Sequence, residues 1–542
     1  MKKVLIIWIF LIVFLVGCGE PQPPEVIIDY AKVSEVTDSI DILCSDLENM
    51  DFSNEETQNE IVRIRNLYEG LLTEEKELVT NISDLEEVEN MYKQYIEQKE
   101  KEQAEKQKVI DAVAEAVALC DATVAKSSTG DDLELPTSYT SEDGINVYIG
   151  WTTSDPQTIT NKGMVTQPRK SVVNVTLTAV CRSGDVSEKF TRRVAVGPLG
   201  YTPLPEKPVF AYYFTNLRAL TEQERKTINV INLSFGNIAS DGTVSVGGLN
   251  SETLLQERKH GIRVCFSVQN KEGFKKWTST PANREKLAQS FLETCEKYHF
   301  DGVDIDWEYP EGAAEVANYV EFMKLLYNKF KKANSNYLVT SAMYGGNGSS
   351  KYNAGESYKY MDYIHLMTYD LNAPDLSTHL TALSSGSASS TSVESTIASY
   401  TAQGIPREKL VIGGAFYGKI YEVDPKGTGF IRQKPITEPY TIVFSQIYQN
   451  YLLKINESNS NIKIVREWDS AANAPYLCIT EYNTAGVITG KKFITYDDAE
   501  SLKLKAQYVF DQGLGGMMFW ELGYEHRETD QLVKAIHDVF YK

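Results

Sequence analysis

The feature that most constrains this 542-residue chain is a ten-residue stretch, DGVDIDWEYP, at positions 301 to 310. Side chains alternate between the two faces of a β-strand, so a strand here places Asp304, Asp306 and Glu308 together on one face. Neighbours on that face lie about 7 Å apart, close enough for carboxylates to push their pKa values apart. Such crowding destabilises a fold, and it therefore indicates a functional site. A surface strand with one solvated face is the alternative.

The segments around this stretch alternate between strand-like and helix-like patterns and predict a (β/α)₈ barrel from residue 208 to 542. The predicted strands are 209–214, 230–236, 262–268, 302–310, 337–343, 363–370, 410–418 and 515–520. Catalytic groups of such barrels lie at the C-terminal ends of the strands, where Asp306 and Glu308 are expected. The segment from 419 to about 492 is long for one connection and predicts an insertion.

The part of the chain before the barrel has two different periods. From residue 26 to 125, apolar residues recur at three-four spacing, which predicts a helical stalk; a partner-binding helical bundle is the alternative. From 131 to 197 the period is two, which predicts a small β-sandwich, followed by a linker at 198–207. The sequence IGWTTSDPQTITNKGMVTQP in this region resembles bacterial immunoglobulin-like repeats.

The N-terminus has the pattern of an export signal. Residues 1–18 combine a Lys2-Lys3 head with a short apolar run and end in LVGC, which resembles a bacterial lipobox. The resemblance implies that Cys18 carries a lipid, that 19–25 is a tether, and that the protein is anchored at the outer face of the cytoplasmic membrane. A plain secretory signal is the alternative.

The composition of the chain limits which classes of molecule it can bind. A net charge of -20 argues against nucleic acid, because phosphate binding needs clustered Lys and Arg, and it suits an uncharged polymer. The six cysteines after Cys18 have no metal-type spacing and are interpreted mainly as buried apolar residues, with a disulfide left open. Oxygen ligands for a divalent metal are an alternative use of the acids, but no second ligand cluster is evident. We expect no metal, no cofactor and a monomer.

Glycoside hydrolysis fits the row of acids better, because it needs one carboxylic acid held protonated beside groups that stabilise an oxocarbenium-like transition state. DGVDIDWEYP matches the DxxDxDxE signature of glycoside hydrolase family 18 at all four acidic positions. MTYD at 367–370, GGAFYG at 413–418 and Trp520-Glu521 are also similar to that family. The resemblance covers Pro208 to Lys542. It implies a chitinase-like TIM barrel that cuts β-1,4 bonds of N-acetylglucosamine polymers, with chitin or chito-oligosaccharides the first expectation.

The resemblance also implies roles for residues. Glu308 is expected to protonate the glycosidic oxygen while the acetamido oxygen of the substrate attacks the anomeric carbon. Asp306 is expected to orient the acetamido group, and Asp304 to share a proton with Asp306. Asp301 is expected to be structural. The remaining substrate-binding residues expected from the family are Tyr369, Asp370, Met367 and Trp520.

Three further aromatic residues, Tyr213, Phe235 and Trp277, are predicted to contact sugar from the ends of the first three strands, with core packing as the alternative. His365 is expected to be a buried core histidine. One departure stands out, because Ser267-Val268-Gln269-Asn270 occupies the place of the family's usual Ser-x-Gly-Gly. The insertion resembles the small α+β insertion of one chitinase subgroup.

Two other functions stay open from the sequence. The barrel can be an endo-β-N-acetylglucosaminidase for peptidoglycan or N-glycans. It can also be a non-catalytic glycan-binding surface protein, although the intact Glu308 argues for catalysis.

Overall fold

The computed structural model describes residues 26–125, 130–215, 217–246, 251–373, 375–386, 391–455 and 461–542. The predicted signal segment, Cys18 and the tether at 19–25 lie outside the described residues. Within those ranges, no helix is both long enough and apolar enough to cross a membrane.

The chain forms two compact units. Of the described residues, the first comprises those from 26 to Glu115 together with Thr140–Val147 and Arg182–Ser187, and the second comprises the others.

The first unit is built on helices. Asp29 accepts hydrogen bonds from the backbone N–H groups of Ala31 and Lys32 and so caps the first helix. The helices pack around a compact apolar core, in which Ile40 and Ile64 are fully buried. The four helices, the last of which continues into the second unit, are α1 (Tyr30–Cys44), α2 (Glu55–Glu69), α3 (Thr73–Lys76) and α4 (Ile82–Val124).

The next elements form a four-stranded sheet in the order β1–β2–β3–β4. Its strands are β1 (Ser138–Thr140), β2 (Asn146–Thr153), β3 (Val173–Ser183) and β4 (Val186–Val196). Burial alternates along β2, where Val147, Ile149 and Trp151 are buried and their neighbours are more exposed. The period of two read from the sequence is therefore confirmed.

The rest of the chain forms the predicted barrel. Its strands, in chain order, are β5 (Val209–Tyr213), β6 (Val230–Ile238), β7 (Val244–Ser245), β8 (Arg263–Gln269), β9 (Gly302–Asp306), β10 (Leu338–Tyr344), β11 (Tyr363–Met367), β12 (Leu410–Ala415), β13 (Tyr417–Val423), β14 (Tyr440–Val443), β15 (Ile462–Asp469), β16 (Ala474–Tyr482), β17 (Ile488–Tyr496) and β18 (Gly516–Trp520). Eight of these strands pair in parallel in the order β5-β18-β12-β11-β10-β9-β8-β6, and β6 pairs with β5 to close the barrel. The (β/α)₈ fold is confirmed.

Helices surround the barrel, and the barrel strands separate two apolar cores. The helices are α5 (Glu222–Thr227), α6 (Ser251–Leu255), α7 (Lys271–Thr278), α8 (Pro281–Lys297), α9 (Gly312–Ala333), α10 (Ala354–Ser357), α11 (Val393–Thr401), α12 (Phe444–Asn450), α13 (Ala499–Asp511) and α14 (Gln531–Phe540). One core fills the barrel interior with residues such as Phe210, Tyr212 and Met518. The other lies between strands and helices and contains Phe291 and Phe322. Strands buried on both faces carry apolar residues at successive positions.

The predicted insertion lies between the seventh and eighth barrel strands, β12 and β18. Five strands form its sheet in the order β14-β13-β17-β16-β15, with antiparallel pairings, and α12 follows β14. The sheet begins at Tyr417 and ends at Tyr496, slightly beyond the predicted limits of 419 and 492. The α+β insertion is confirmed.

Candidate active site

The row of acids lies on the fourth barrel strand and at its C-terminal end. Strand β9 ends at Asp306, earlier than the predicted residue 310, and Glu308 follows it at the mouth of the barrel. Register places Asp304 beside Thr340 on one neighbouring strand and beside Ser267 on the other. Trp307 faces the opposite way and is buried among the helices. The alternation read from the sequence therefore separates the acids from the apolar residues.

Asp304 is held deep in the barrel by hydroxyl donors. Its carboxylate accepts hydrogen bonds from Tyr212 at 2.9 Å, from Ser267 at 2.8 Å and from Thr340 at 2.6 Å. Burial by itself raises the pKa of Asp304, but the hydrogen bonds and the nearby His365 imidazole together hold this pKa below its usual value. Asp304 is therefore ionised and fully engaged below the site.

Asp306 has the opposite protonation. It is 3% exposed, and burial raises the pKa of its carboxyl well above the usual value, with further contributions from the negative charges of Glu308 and Asp304. Asp306 therefore keeps its proton and hydrogen-bonds Glu308. The sharing of a proton between Asp306 and Asp304 stays a prediction.

A cavity of about 390 Å³ opens above these acids. Asp306 and Glu308 lie in its wall, together with a set of aromatic residues: Tyr212, Phe214, Phe235, Tyr309, Tyr344, Tyr369, Tyr417 and Trp520. The Trp520 ring stacks on Phe235 at 5.4 Å between centroids and on Phe214 at 6.0 Å. Glu521 fixes this corner by accepting a 2.9 Å hydrogen bond from the Phe214 backbone N–H. An aromatic cavity with two acids in its wall suits a sugar ring.

Tyr369 and Asp370 close the side of the cavity above the sixth barrel strand, β11. Burial, followed by the charges of Asp306 and Glu308, raises the pKa of Tyr369 well above its usual value, so its hydroxyl remains a donor. Asp370 accepts a hydrogen bond from the Tyr417 hydroxyl at 2.8 Å and forms an ion pair with Lys419 Nζ at 2.9 Å. The insertion strand that carries these two residues therefore helps to hold the cavity wall.

The structure brings most of the predicted binding residues to this cavity. Met367, Tyr369, Asp370, Trp520 and Phe235 all line it. His365, on the same strand as Met367, is fully buried beneath it, as expected for a core histidine. Its Nδ1 lies 2.9 Å from the Tyr212 hydroxyl.

Two predicted contacts are wrong. Tyr213 is fully buried between the barrel and its helices, and its hydroxyl accepts a 3.0 Å hydrogen bond from the Arg218 backbone N–H. Trp277 lies on α7, where its ring packs beside Gly242 and beneath the Lys286 ammonium group. Neither residue lines the cavity, because the alternation of β5 points Tyr213 outward and α7 carries Trp277 away from the mouth.

Sequence reasoning missed several residues of the cavity wall. Tyr212, on the first strand, and Phe214, directly after it, are the neighbours of Tyr213 and line the cavity. Correct parity would have found them, but five consecutive apolar residues on a strand buried on both sides leave parity open. Gln269, which in the sequence is a departure from the family pattern, also lines the cavity and donates a 2.8 Å hydrogen bond to Glu308 Oε1.

Asp301, the first acid of the stretch, lies at the opposite end of the strand. Arg169 from the region before the barrel contacts both of its oxygens, through Nε at 2.7 Å and Nη2 at 3.0 Å. Arg258 adds an ion pair at 3.3 Å, and the Val264 backbone N–H donates at 2.9 Å. The carboxylate is fully buried and far from the cavity wall, as a structural role requires.

The fold and the site define a class: a TIM-barrel glycosidase with carboxyl groups at the end of its fourth strand. Residues 209–525, more than half of the chain, match glycosyl hydrolases family 18. The chain therefore belongs to this family and is a chitinase-like enzyme. Residues 110–198 match the atrophied bacterial Ig domain family, which confirms the immunoglobulin-like region.

Similar proteins include characterised and solved members of the family. Chitinase B of Serratia marcescens is 28% identical over 417 residues, covering 62% of this chain and 82% of that protein. Chitinase A1 of Niallia circulans is 30% identical over 317 residues, and the match spans 53% of this chain and 44% of that protein. A solved family 18 N-acetylglucosaminidase from Paenibacillus barengoltzii is 28% identical, with a TM-score of 0.55 over 62% of this chain and 100% of that structure.

Proposed function

We propose that this enzyme hydrolyses β-1,4 bonds next to N-acetylglucosamine, in chitin or chito-oligosaccharides, without an enzymic nucleophile. One observation carries the proposal: the buried Asp306 and Glu308 lie together in the wall of a cavity lined by aromatic residues. Substrate-assisted members of this family are exceptions to the two-carboxylate glycosidase mechanisms. In them the substrate's acetamido oxygen takes the place of the enzyme's nucleophile.

The geometry supports a division of labour between the acids. Glu308 lies at the cavity and, in its protonated form, donates its proton to the glycosidic oxygen as that bond breaks, so the leaving sugar departs with a hydroxyl group. The acetamido oxygen bonds to the anomeric carbon and forms a cyclic cation. Water then attacks the anomeric carbon and gives a proton to Glu308, the bond to the acetamido oxygen breaks, and the acetamido group and the acid are restored. Among the described residues, none hydrogen-bonds the buried Oδ1 of Asp306, and this oxygen is free to accept the acetamido N–H.

The surrounding residues support the acetamido group and the ring. Among the described residues, the one hydrogen-bond partner of the Tyr369 hydroxyl is Met518 Sδ at 3.9 Å, so this hydroxyl is available to donate to the acetamido oxygen of the bound substrate. Asp370 assists from the same wall. Trp520 provides the aromatic floor on which the distorted sugar rests, and aromatic faces suit the apolar faces of sugar rings.

The rival substrates are peptidoglycan and N-glycans, for an N-acetylglucosaminidase of the same mechanism. The solved enzyme from Paenibacillus barengoltzii, which is described as an N-acetylglucosaminidase, favours keeping this second candidate. A protein that only binds glycans is the remaining alternative. Assays on chitin, peptidoglycan and N-glycans distinguish these three functions, because they show which polymer is cleaved and which is bound without cleavage.

The test compares the full chain with its Glu308→Gln variant on fluorogenic chitobioside and chitotrioside, then on chitin, peptidoglycan and an N-glycan. We expect turnover of the GlcNAc substrates to fall by about a thousandfold or more in the variant while binding is retained. Glu311→Gln is the matched control, because Glu311 is a surface acid paired with Lys271 outside the cavity. Binding without cleavage by the wild-type chain supports the glycan-binding alternative, and cleavage of peptidoglycan alone supports the second candidate.

We also propose that the enzyme is exported and held at the membrane surface by a lipid on Cys18. The support is the sequence of residues 1–18 and the LVGC motif. A Cys18→Ser variant expressed in a bacterial host should lose incorporation of labelled fatty acid and move from the detergent phase to the aqueous phase. Unchanged partitioning contradicts the anchor.

A further inference from the structure

Gln269 is a departure from the family pattern that reaches the catalytic acid. It is the last residue of β8, where register pairs it with Asp306 on the neighbouring strand β9. Its side-chain Nε2 donates a 2.8 Å hydrogen bond to Glu308 Oε1, and the side chain lines the cavity. A glycine at this position, as in the usual Ser-x-Gly-Gly, has no side chain with which to make this contact.

The residues on either side hold Gln269 in place. Ser267 donates to Asp304 at 2.8 Å beneath the site. Asn270 caps α7 by accepting the Gly273 backbone N–H at 2.6 Å, and it donates to the Ile238 carbonyl at 3.1 Å. Hydrogen bonds of Ser267 and Asn270 therefore hold the strand end before and after Gln269, while the Gln269 side chain points at Glu308.

The contact changes how the acid is presented. Glu308 is held by Asp306 from the barrel side and by Gln269 at Oε1, so its carboxyl group is fixed by two neighbouring strands. A general acid must lie within hydrogen-bond reach of the oxygen it protonates, and small errors in that geometry lower the rate. The leaving sugar is bonded to that oxygen and must therefore bind beside the Gln269 amide.

We propose that Gln269 is a positioning residue for Glu308 and a determinant of the leaving group. The inference rests on the proposed function. The amide has further donor and acceptor capacity beyond the bond to Glu308, which suits the hydroxyl groups of a leaving sugar. A sugar leaving group needs both the proton from a well-placed Glu308 and a polar neighbour. An aryl group that departs as a stable anion depends far less on either, although Glu308 is still needed as the base that activates the attacking water.

The experiment measures kcat/KM for two substrates that share the same glycon: an aryl chitobioside and chitotetraose. The enzymes are the full chain, Gln269→Met, Gln269→Gly and the control Gln403→Met. Methionine keeps the length of the side chain without the amide, and glycine restores the family residue. Gln403 is exposed and does not line the cavity. Thermal melting of each variant verifies that it is folded.

We expect Gln269→Met to lower kcat/KM on chitotetraose by about 10- to 100-fold, the usual effect of a lost hydrogen bond to a charged group. On the aryl substrate we expect a loss of less than about threefold, because little proton donation is needed there. Gln269→Gly should show the same ratio between substrates, and Gln403→Met should change neither value.

The outcomes separate the inference from the proposed function. A wild-type chain that cleaves both substrates in a Glu308-dependent manner, with equal losses on both in Gln269→Met, overturns the inference alone. No loss on either substrate does the same. A wild-type chain that cleaves no GlcNAc substrate, or whose activity survives Glu308→Gln, overturns both the proposed function and the inference.

Discussion

An acid is buried at each end of strand β9, but the pKa of the two carboxyl groups is shifted in opposite directions. At the N-terminal end, burial by itself raises the pKa of Asp301, but Arg258 and Arg169 outweigh it and hold this pKa below its usual value. At the C-terminal end, burial and the neighbouring acids raise the pKa of Asp306 well above its usual value. Burial alone therefore does not decide the protonation of a carboxyl group; the charges around it do.

The comparison separates stability from chemistry within one sequence motif. Asp301 is paired with arginines, and a buried carboxylate in that state contributes to folding only while its partners remain. Asp306 lacks a cationic partner among the described residues, and such a group is costly to bury and available for proton chemistry. The four acids of DGVDIDWEYP therefore have different roles despite their even spacing.

The largest expected effect is on catalysis. Asp306→Ala should lower kcat on a fluorogenic chitobioside by about 10²- to 10³-fold, because the oxygen that accepts the acetamido N–H and the carboxyl group beside Glu308 are both lost. Asp301→Asn, measured per folded molecule, should change kcat by no more than a few fold. Similar losses of kcat in both variants would break the distinction between the two ends.

The next effect is on stability. Arg169→Met should lower the free energy of unfolding by about 3 kcal/mol, because it leaves the buried Asp301 with only one of its two cations. Urea unfolding followed by tryptophan fluorescence measures this change. Activity per folded molecule should be retained. A loss of activity without a loss of stability would show that this end of the strand acts on the chemistry.

The pH dependence of stability should have opposite signs at the two ends. Below pH 3.8, the usual pKa of an aspartic acid, Asp306 is protonated in the folded and unfolded states alike. As pH rises above this value, only the unfolded state loses the proton, so the destabilisation of the fold by Asp306 grows with pH. It stops growing, and stays constant, once the pH passes the raised folded pKa of Asp306. Asp306→Asn should therefore be more stable than the wild type at neutral pH, by about 1.4 kcal/mol for every tenfold change in proton affinity.

Asp301 should show the reverse. Its ionised form stabilises the fold above pH 3.8, and this contribution is lost as pH falls through 3.8 towards its lowered folded pKa. Asp301→Asn should therefore be less stable than the wild type at neutral pH, with the difference shrinking in acid. Urea midpoints of the wild type and both variants between about pH 3 and 7 test the two signs together. Parallel curves for the two variants would contradict the account.

The smallest effect is expected next to Arg169. Lys170 pairs with Glu296 at 2.8 Å, but both side chains are more than two-fifths exposed. Solvent screens such a pair, so Lys170→Met should change the free energy of unfolding by less than about 0.5 kcal/mol. The same urea experiment measures it. An effect as large as that of Arg169→Met would show that surface charge, rather than burial of Asp301, accounts for the loss.

The sequence predicts the barrel and the face on which the acids lie, because both depend on local periods. Three acids spaced two apart, with Ile305 and Trp307 between them, fix the parity of β9. Strand β5 has no alternating polar residues, because every residue on it is buried. The sequence therefore does not show whether Tyr212 or Tyr213 faces the cavity, and the prediction of Tyr213 is wrong.

Long-range partners are the part that the sequence does not predict. Arg169 lies 132 residues before Asp301 in a region of different fold, and nothing local to either residue indicates the pair. The crowding of the acids predicts that one of them keeps a proton. Which acid keeps it depends on Tyr212, Ser267 and Thr340, because these residues donate hydrogen bonds to Asp304 and favour its ionised form. Those hydroxyls occupy the Asp304 oxygens only after three other strands have assembled.

The most direct test of the account is to observe the proton on Asp306. Infrared spectra of the full chain labelled with ¹³C at its aspartate carboxyl groups distinguish protonated aspartic acid from glutamic acid. At about pH 6, where an ordinary aspartate is ionised, we predict a protonated aspartic carbonyl band that disappears in Asp306→Asn and persists in Asp301→Asn. A band that persists in Asp306→Asn and disappears in Asp301→Asn would contradict the account.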